Sequence, residues 1–479
     1  MLNFYGDYDV VVCGGGTSGC TAAICAARAG AKKVLLIERV GQLGGQMNFS
    51  GPPGFSFAHL LNYRQEQVIA GFAAETHKLL LEEGHALPDL RPRWRCNYTY
   101  AYVDPDWWGL LMYKMCKDEG VELMLHSLVT EVMREGNVVK GVICEHPGGK
   151  SLVTGKVIID CTGEGEVAYQ AGAEYEIAPR DILEPATVAF TADGVNWDEV
   201  MDYVRNHVED FLFGQIGYEN TDYMTLDKIR EAVRNCKDVV EMGEVMGFLS
   251  LQKIGVENNE WHNQSGVGFF IMPKGDKILA HFQHSSQVDK VDCTDVRDIS
   301  RAEAECREQN VIAFKFFKKY IPGFENAYIT RVCPEVRIRE TRRVMGDYKL
   351  LREDVMEARK FDDVIGKSAF TAGAKHAVGD AALALKDLVY PKDGGSTDIP
   401  YRCLVVKDLE NFMVAGKAIS TDRAAHHRFL QETIVTGQAA GVAAALCVRD
   451  GKTPRQLETD VSELQKILIE QGAILYGTH

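Results

Sequence analysis

Three glycines spaced Gly14-x-Gly16-x-x-Gly19, with Thr17 and Ser18 between the last two, interrupt an apolar run, and Glu38 stands 19 residues beyond Gly19. A dinucleotide phosphate needs this spacing. Gly14 permits a tight turn, Gly16 lets backbone N–H groups approach a pyrophosphate at a helix N-terminus, and Gly19 lets that helix lie close on its strand. A carboxylate at the end of the next strand, here Glu38, then takes two ribose hydroxyls. Ala23, Ala27 and Gly30 fall in frame with the arrangement. Just beyond, Arg39 and the run from Gly41 to Gln46 carry Gly44 and Gly45, which suit a second close backbone approach to the same phosphates. The fingerprint by itself leaves open which dinucleotide is bound.

A second group of residues has the chemistry of a substrate site. Arg337, Arg339, Arg342 and Arg343 cluster with Glu335 and Glu340. In an extended chain alternate residues share a face, so Arg337 and Arg339 can both meet a cleft; the other reading is an ion-paired structural network. His281 and His284 are three apart in LAHFQHSSQ and would fall on opposite faces of a regular strand. His262 sits in a loop beside a tryptophan. Tyr98, Tyr100 and Tyr102 alternate and share one face, as pocket lining or as sheet packing.

The elements that must position these groups follow an alternating pattern. A β-run at Asp9–Cys13, a helix at Ser18–Ala29 closed by Gly30, and a β-run at Lys33–Glu38 form a βαβ opening, which predicts a parallel sheet. The Gly/Pro/Ser-rich stretch 41–57 is too long for a plain connection and reads as a functional loop. Residues 58–104 read as an insertion near the active site, with RPRWRCNYTYAY interleaving aromatics and arginines. A helix at Trp107–Asp118 and strands within VELMLH, SLVTEVMREGNVVKGVICE and GKVIID return the chain to the sheet. From about Phe190 to Arg331 the pattern is mixed, with helices at Trp197–Val208, Thr225–Met242 and Arg301–Tyr320 and β-runs at Gly266–Pro273 and Lys277–His284. NFMVAG is a further buried strand, and Glu432–Arg449 a small-residue helix suited to close packing.

Composition excludes several classes. The chain has 479 residues, 46% hydrophobic and 25% charged, which fits two to three globular domains. Its 53 Lys and Arg against 68 Asp and Glu leave a net charge of −15, and no basic run overrides that field, so nucleic acid is not an expected partner. The apolar stretch Val10–Ala27 is broken by glycines, so no membrane span is expected. MLNFYGDYD lacks the basic start of a secretory signal, and a cytoplasmic location is expected. The 13 cysteines contain no CxxC, which points to reduced buried thiols and to no metal site.

Three colinear stretches carry a family resemblance: RIRETRRVMGDYKLLREDV (337–355), TDIPYRCLVVKDLENFMVAGKAIS (397–420) and GQAAGVAAALCVRDGKTPRQL (437–457), together with VIIDCTGEGEVA (157–168). With the glycine fingerprint they resemble the FAD-dependent oxidoreductases of the FAD_oxidored family, related to the fumarate reductase and ketosteroid dehydrogenase flavoproteins. The resemblance implies an α/β fold: a discontinuous, glutathione-reductase-type Rossmann-like FAD-binding domain (1–57, 105–189 and 395–479) with a mixed α/β substrate or cap domain (190–394). It implies that Gly14, Gly16 and Gly19 hold the FAD pyrophosphate and Glu38 the adenosine ribose, with Val129 at the adenine. Thr162 and Gly163 resemble the family's turn near the pyrophosphate, with Cys161 in place of alanine, and Gly416 resembles its glycine near the ribityl chain. Gln438 and Ala439 resemble a helix start whose amides face flavin O2 and N1, where a helix N-terminus favours negative charge. Asn48 and Ser50 would lie where the loop runs toward the flavin ring.

On the substrate side, Arg339 and Arg342 match the family's arginine motif, and Arg428 matches its arginine nine residues ahead of Gly437. With His281 and His427 these are the candidate catalytic residues. The expected activity is hydride transfer between flavin N5 and a small polar or anionic organic substrate, with C–C dehydrogenation or alkene reduction ahead of C–OH or C–N oxidation. An NAD-dependent dehydrogenase or a non-redox flavin protein is the alternative. A small-molecule substrate and a separate electron donor or acceptor are the expected partners, and a homo-oligomer is compatible with this reading. Two lookalikes are set aside. Gly163-x-Gly165-x-x-Ala168 mimics a second fingerprint but its helix is cut by Gly172, and Val378-Gly379-Asp380 mimics a hydroxylase motif but follows a poor strand. No cysteine pair follows the first glycines, against a disulfide reductase.

Overall fold

The computed structural model describes residues 2–51, 54–58, 60–62, 64, 66–89, 99–211, 225–262, 266–373 and 389–477. Its centre is a seven-stranded sheet. Val10–Cys13 are apolar on both faces and completely buried, as an inner strand of a parallel sheet must be. The strand order is Glu122–Met124, Val34–Ile37, Leu2–Cys13, Gly149–Asp160, Val138–His146 and Leu128–Glu135. Phe412–Val414 pairs in parallel with the far end of Gly149–Asp160, through Ile158, Ile159 and Asp160. The first three strands and the end of Gly149–Asp160 run parallel, so their C-terminal ends, at Cys13, Ile37 and Asp160, open on the same edge. Ligands of open α/β sheets bind at that edge.

The strand Leu2–Cys13 starts well before the apolar run at Asp9. Its first residues are exposed and pair with Lys150–Gly155, an extension of the ladder without a hydrophobic alternation to announce it. The helix Thr17–Arg28 packs on this sheet, crossed by the buried helix Leu430–Asp450. Small residues permit the crossing: a Cβ on Gly437 would overlap the Ser18 carbonyl oxygen, and one on Gly441 the Ala22 carbonyl oxygen.

A second, antiparallel sheet has the order Glu244–Gly247, Val267–Lys274, Lys277–Phe282, Phe190–Asp193 and Tyr328–Val332. Its own core is aromatic, with Phe190, Phe269, Phe282, Phe317 and Phe324 packed together under the helix Val296–Tyr320. The helix expected over Thr225–Met242 is two, Leu226–Arg234 and Val239–Met242, because Asp238 caps a new start by accepting from the Glu241 amide at 2.8 Å.

The segment read as an insertion, 58–104, supplies the helix Phe72–Glu82, and its Val68, Ile69, Phe72 and Leu80 join the core of the seven-stranded sheet. From the stretch assigned to the cap, Val364, Ile365 and Ala369 join the same core, through the pairing of Val364–Ser368 with Thr397–Pro400. The cysteines among the described residues are all free thiols.

Candidate functional site

The turn after Cys13 folds as its glycines require. Gly14 has φ of 101° and a Cβ there would lie 2.5 Å from the Cys161 carbonyl oxygen. A Cβ on Gly19 would overlap the Gly14 carbonyl oxygen, so helix and strand touch backbone to backbone. Gly16, the residue before the first turn of Thr17–Arg28, is different: a Cβ there meets nothing closer than the Gly45 Cα at 3.8 Å. The second glycine run lies directly against the first. Gly44 N–H donates to the Gly15 carbonyl at 2.9 Å, and Gly45 sits at φ of 52° with room for no Cβ against Gly16. Thr17 bonds Thr433 of the crossing helix at 2.7 Å, and Ser18 lies against Gly416, whose N–H donates to Thr436 Oγ1 at 3.0 Å.

Beside this turn, at the C-terminal edge of the parallel strands, is a cleft of about 390 Å³ lined by Gly14, Glu38, Arg39, Ser127, Val129, Thr162 and Glu166 among others. Glu38 is buried, and its two oxygens accept from the Gly15 amide at 2.6 Å and the Val40 amide at 3.0 Å. Burial pushes its carboxyl above the usual range, against the pull of those two amides. Asp160, also raised by burial, shapes the far wall: its carboxylate takes the Thr162 amide and hydroxyl and the Ala168 amide, at 2.7 to 2.9 Å. Gly163 follows at φ of 85°. The Gly163-x-Gly165 lookalike is followed by a helix of five residues only, Glu166–Gln170. Val378–Asp380 and Tyr98 lie outside the described residues. Tyr102 spends its hydroxyl on the Gly243 carbonyl at 2.7 Å.

These residues fit a dinucleotide. The glycines leave bare backbone on two adjoining turns, and Gly16 has space that no atom of the chain fills. The cleft places a carboxylate and strand-edge backbone side by side next to these turns. Gln46 and Asn48, in the short helix Gln46–Phe49, each keep a buried side-chain oxygen without a hydrogen-bond partner among the described residues, a sign of polar chemistry to be met on this loop.

Two expected placements are corrected. Gln438 and Ala439 are not at a helix start. The helix begins at Leu430, so both lie about two turns inside it, with Ala439 in the core and Gln438 Oε1 accepting from the Phe72 amide at 3.3 Å. Its preceding glycine marks the crossing with Thr17–Arg28 and not a terminus. The amides free at this helix's N-terminus belong to the turn opened by Phe429, where Glu432 caps by accepting from the Phe429 amide at 3.3 Å. Arg342 is the second correction. Its guanidinium lies over the rings of Tyr169 and Tyr175, at 4.6 and 5.5 Å, and donates to the Glu164 carbonyl at 3.1 Å. This cation–π box holds it on the dinucleotide side, away from Arg337 and Arg339.

Those two arginines meet Arg428 in the interior. All three are buried, and they face one carboxylate, Glu184, which pairs with Arg428 at 2.5 Å. Arg337 reaches the Gln283 amide oxygen at 3.3 Å, and Arg339 donates to the Pro185 carbonyl at 2.5 Å. Burial and the two neighbouring arginines hold Arg337 well below its ordinary pKa, and burial with Arg428 lowers Arg339 to about 10, both against the pull of Glu184. Nε of Arg339 and Nε of Arg428 lack hydrogen-bond partners among the described residues.

His281 and His284 belong to the same cluster. The strand ends at Phe282, so the alternation that would separate them does not reach His284. Burial is the main cause holding both neutral, and arginines oppose their charging: Arg331 and Arg337 for His281, Arg339, Arg337 and Arg428 for His284. His281, lowered to about 3, must donate from Nε2 to the Gly51 carbonyl at 2.9 Å. Its Nδ1 then carries a lone pair with no partner among the described residues. His427 turns to Glu432 at 3.6 Å, and His426 to the Lys417 carbonyl at 2.7 Å. His262 bonds the Ser285 carbonyl at 2.8 Å.

Sequence reasoning missed Glu184, His284 as a member of the cluster, and Glu166. Glu184 stands alone in a loop without periodicity; its signal is only the need of buried arginines for a counter-charge.

Residues 9–468 match the family model described as FAD dependent oxidoreductase. Over 183 residues the chain is 29% identical to tRNA uridine 5-carboxymethylaminomethyl modification enzyme MnmG of Alkaliphilus metalliredigens, covering 35% of this chain and 27% of that protein. Over 197 residues it is 26% identical to digeranylgeranylglycerophospholipid reductase 1 of Methanococcoides burtonii, covering 41% and 47%. The matches thus span less than half the length of these curated relatives. Among solved structures, a geranylgeranyl bacteriochlorophyll reductase-like protein from Thermoplasma acidophilum is similar with a TM-score of 0.48 and 13% identity, over 97% of this chain and 84% of that one. The p-nitrophenol 4-monooxygenase PnpA of Pseudomonas putida gives 0.46 and 12%, over 98% and 86%. No helix among the described residues is long and apolar enough to cross a membrane, and no group of residues there could hold a metal ion.

Proposed function

Because this chain belongs to the FAD dependent oxidoreductase family, an enzyme family whose cofactor is FAD, we propose that it oxidises or reduces a small organic anion held by Arg337 and Arg339, beside the Arg428–Glu184 pair. The kinship is with these oxidoreductases as a whole and not with fumarate reductase in particular. FAD, when bound, supplies the two-electron chemistry by accepting or giving a hydride. Gly14, Gly16 and Gly45 would receive its pyrophosphate, Glu38 its adenosine ribose, and Val129 the adenine edge.

The observation that carries the substrate reading is the charge count in the interior. Among the described residues, three buried guanidiniums face a single carboxylate, and burying uncompensated like charges costs several kcal/mol unless an anion joins them. Arg428 is fixed by Glu184, so Arg337 and Arg339 are the pair left to grip a carboxylate or comparable group. Two groups could handle the proton that accompanies hydride transfer. Arg339, lowered to about 10, gives up a proton more readily than an ordinary arginine and suits protonation of a carbon in alkene reduction. His281, neutral with Nδ1 open, suits removal of a proton from a C–OH or C–N–H group in the oxidative direction. We favour reduction or dehydrogenation of a C–C bond, since Arg339 is itself part of the anion grip; a relative's name, digeranylgeranylglycerophospholipid reductase, leans the same way.

Anaerobic titration of the yellow holoprotein with matched enoate, saturated acid and hydroxy-acid pairs tests this. Bleaching by a saturated acid, or reoxidation of the reduced flavin by its enoate, is the expected result. Exchange with the hydroxy acid alone would move the chemistry to C–OH oxidation, and exchange only with uncharged compounds would overturn the anion assignment.

A further inference from the structure

The cleft beside the glycine turns holds two carboxyls, and they are held differently. Glu38 has two backbone amides to stabilise its charge. Glu166 has none: its own amide donates to Thr162 Oγ1 at 3.1 Å, and no described residue hydrogen-bonds or ion-pairs with its carboxyl. The charges around it are all committed elsewhere. On its own turn, Asp160 is occupied by Thr162 and Ala168, and Glu164 pairs with Lys417 at 2.6 Å. From the strand end opposite come Glu38 and Arg39, the latter paired with Glu335 at 2.5 Å. From the stretch before Val344 comes Arg342, held in its tyrosine box. Ser127 and Val129 complete that side of the cleft without charge.

A carboxylate here would share the cleft with a dinucleotide whose phosphates the adjoining glycines would receive. Two anionic groups in one partly desolvated cleft repel, and the one that can take a proton does so. We propose that Glu166 is a cofactor-binding residue that accommodates FAD only as the neutral acid, so that binding FAD takes up a proton. The inference rests on FAD occupying this cleft and not on the substrate assignment. Burial, with Glu164 and Asp160 adding and Arg39 and Arg342 opposing, already raises this carboxyl to about 7 before any phosphate arrives. The sign follows. Below that pH the acid is neutral in both states and affinity is constant; above it, free protein loses the proton that the complex keeps, and affinity falls with rising pH.

The test is the equilibrium release of FAD from holoprotein, followed by ultrafiltration and flavin fluorescence between pH 6 and 9. In the wild type the dissociation constant should be flat at the acid end and rise by up to about tenfold per pH unit above neutrality. Glu166→Gln should hold FAD with a flat profile, and at the alkaline end bind about tenfold or more tightly than wild type. Glu166→Ser should be equally flat, and serves where the glutamine variant does not accumulate. A flat wild-type profile would overturn the proposal. So would an unchanged slope in both variants, which would place the linked proton on another group such as Glu38.

Discussion

The two halves of the site recognise by opposite means. The dinucleotide cradle is backbone: Gly14, Gly44 and Gly45 leave no room for a Cβ because the chain packs on itself there, and Gly16 leaves space that no atom of the chain fills. The cluster proposed for the substrate is side chain: Arg337, Arg339, Arg428, Glu184, His281 and His284 converge from four separate segments. A backbone site brings no uncompensated charge into the interior, so it costs little to keep empty. A buried cluster of like charges is strained until its ligand arrives. The cradle should therefore tolerate loss of FAD without unfolding, whereas the cluster trades stability for binding.

Substitutions can break this contrast, beginning with the largest effect. Gly19→Val would drive a side chain into the Gly14 carbonyl and leave no folded protein, read as loss of soluble expression. Gly16→Val, by contrast, has space in the chain and should fold with an unchanged melting temperature in the FAD-free state while retaining almost no FAD. A yellow, fully occupied Gly16→Val protein would remove the fingerprint assignment. Arg428→Met removes the hydrogen-bonded partner of buried Glu184, which Arg337 and Arg339 still face, and should destabilise by about 1–3 kcal/mol in denaturant unfolding.

Arg339→Met should act in the opposite direction on stability. It relieves repulsion with Arg428, so the melting temperature rises by about 2–4 °C, while kcat/KM falls by about 10- to 100-fold through the lost charge-assisted bond. A fall in both would mean that Arg339 is a structural ion-pair member. A further effect is on pH dependence. His281 is neutral when folded and charges readily when unfolded, its pKa lowered from 6.5 to about 3. Its contribution is therefore present above pH 6.5 and lost as pH falls toward 3. His281→Gln should flatten the acid limb of a melting-temperature profile over that window.

The same contrast explains what could be read in the sequence. Gly14, Gly16, Gly19 and Glu38 are local in the chain, and their order and spacing are imposed by one strand–turn–helix–strand unit, so the cradle was legible. Val129 and Thr162 came from the family resemblance, and both line the cleft. Gln438 and Ala439 misled because a glycine that permits two helices to cross looks, in sequence, like one that opens a helix. Arg342 misled because its partners, Tyr169 and Tyr175, are distant in the chain. Alternation did pair Arg337 with Arg339, but nothing periodic links them to Glu184, and the end of the strand at Phe282, which brings His284 to His281, left no turn residue to mark it.

The central claim is that a FAD cradle and a buried arginine cluster together select an anion. It is tested most directly by titrating wild-type and Arg339→Met holoprotein with a small carboxylic acid and its uncharged amide, following the visible flavin absorbance. The expected result is a saturable perturbation by the carboxylate alone, lost or weakened about 10- to 100-fold in the variant. Equal response to the amide, or a carboxylate response untouched by Arg339→Met, would contradict it.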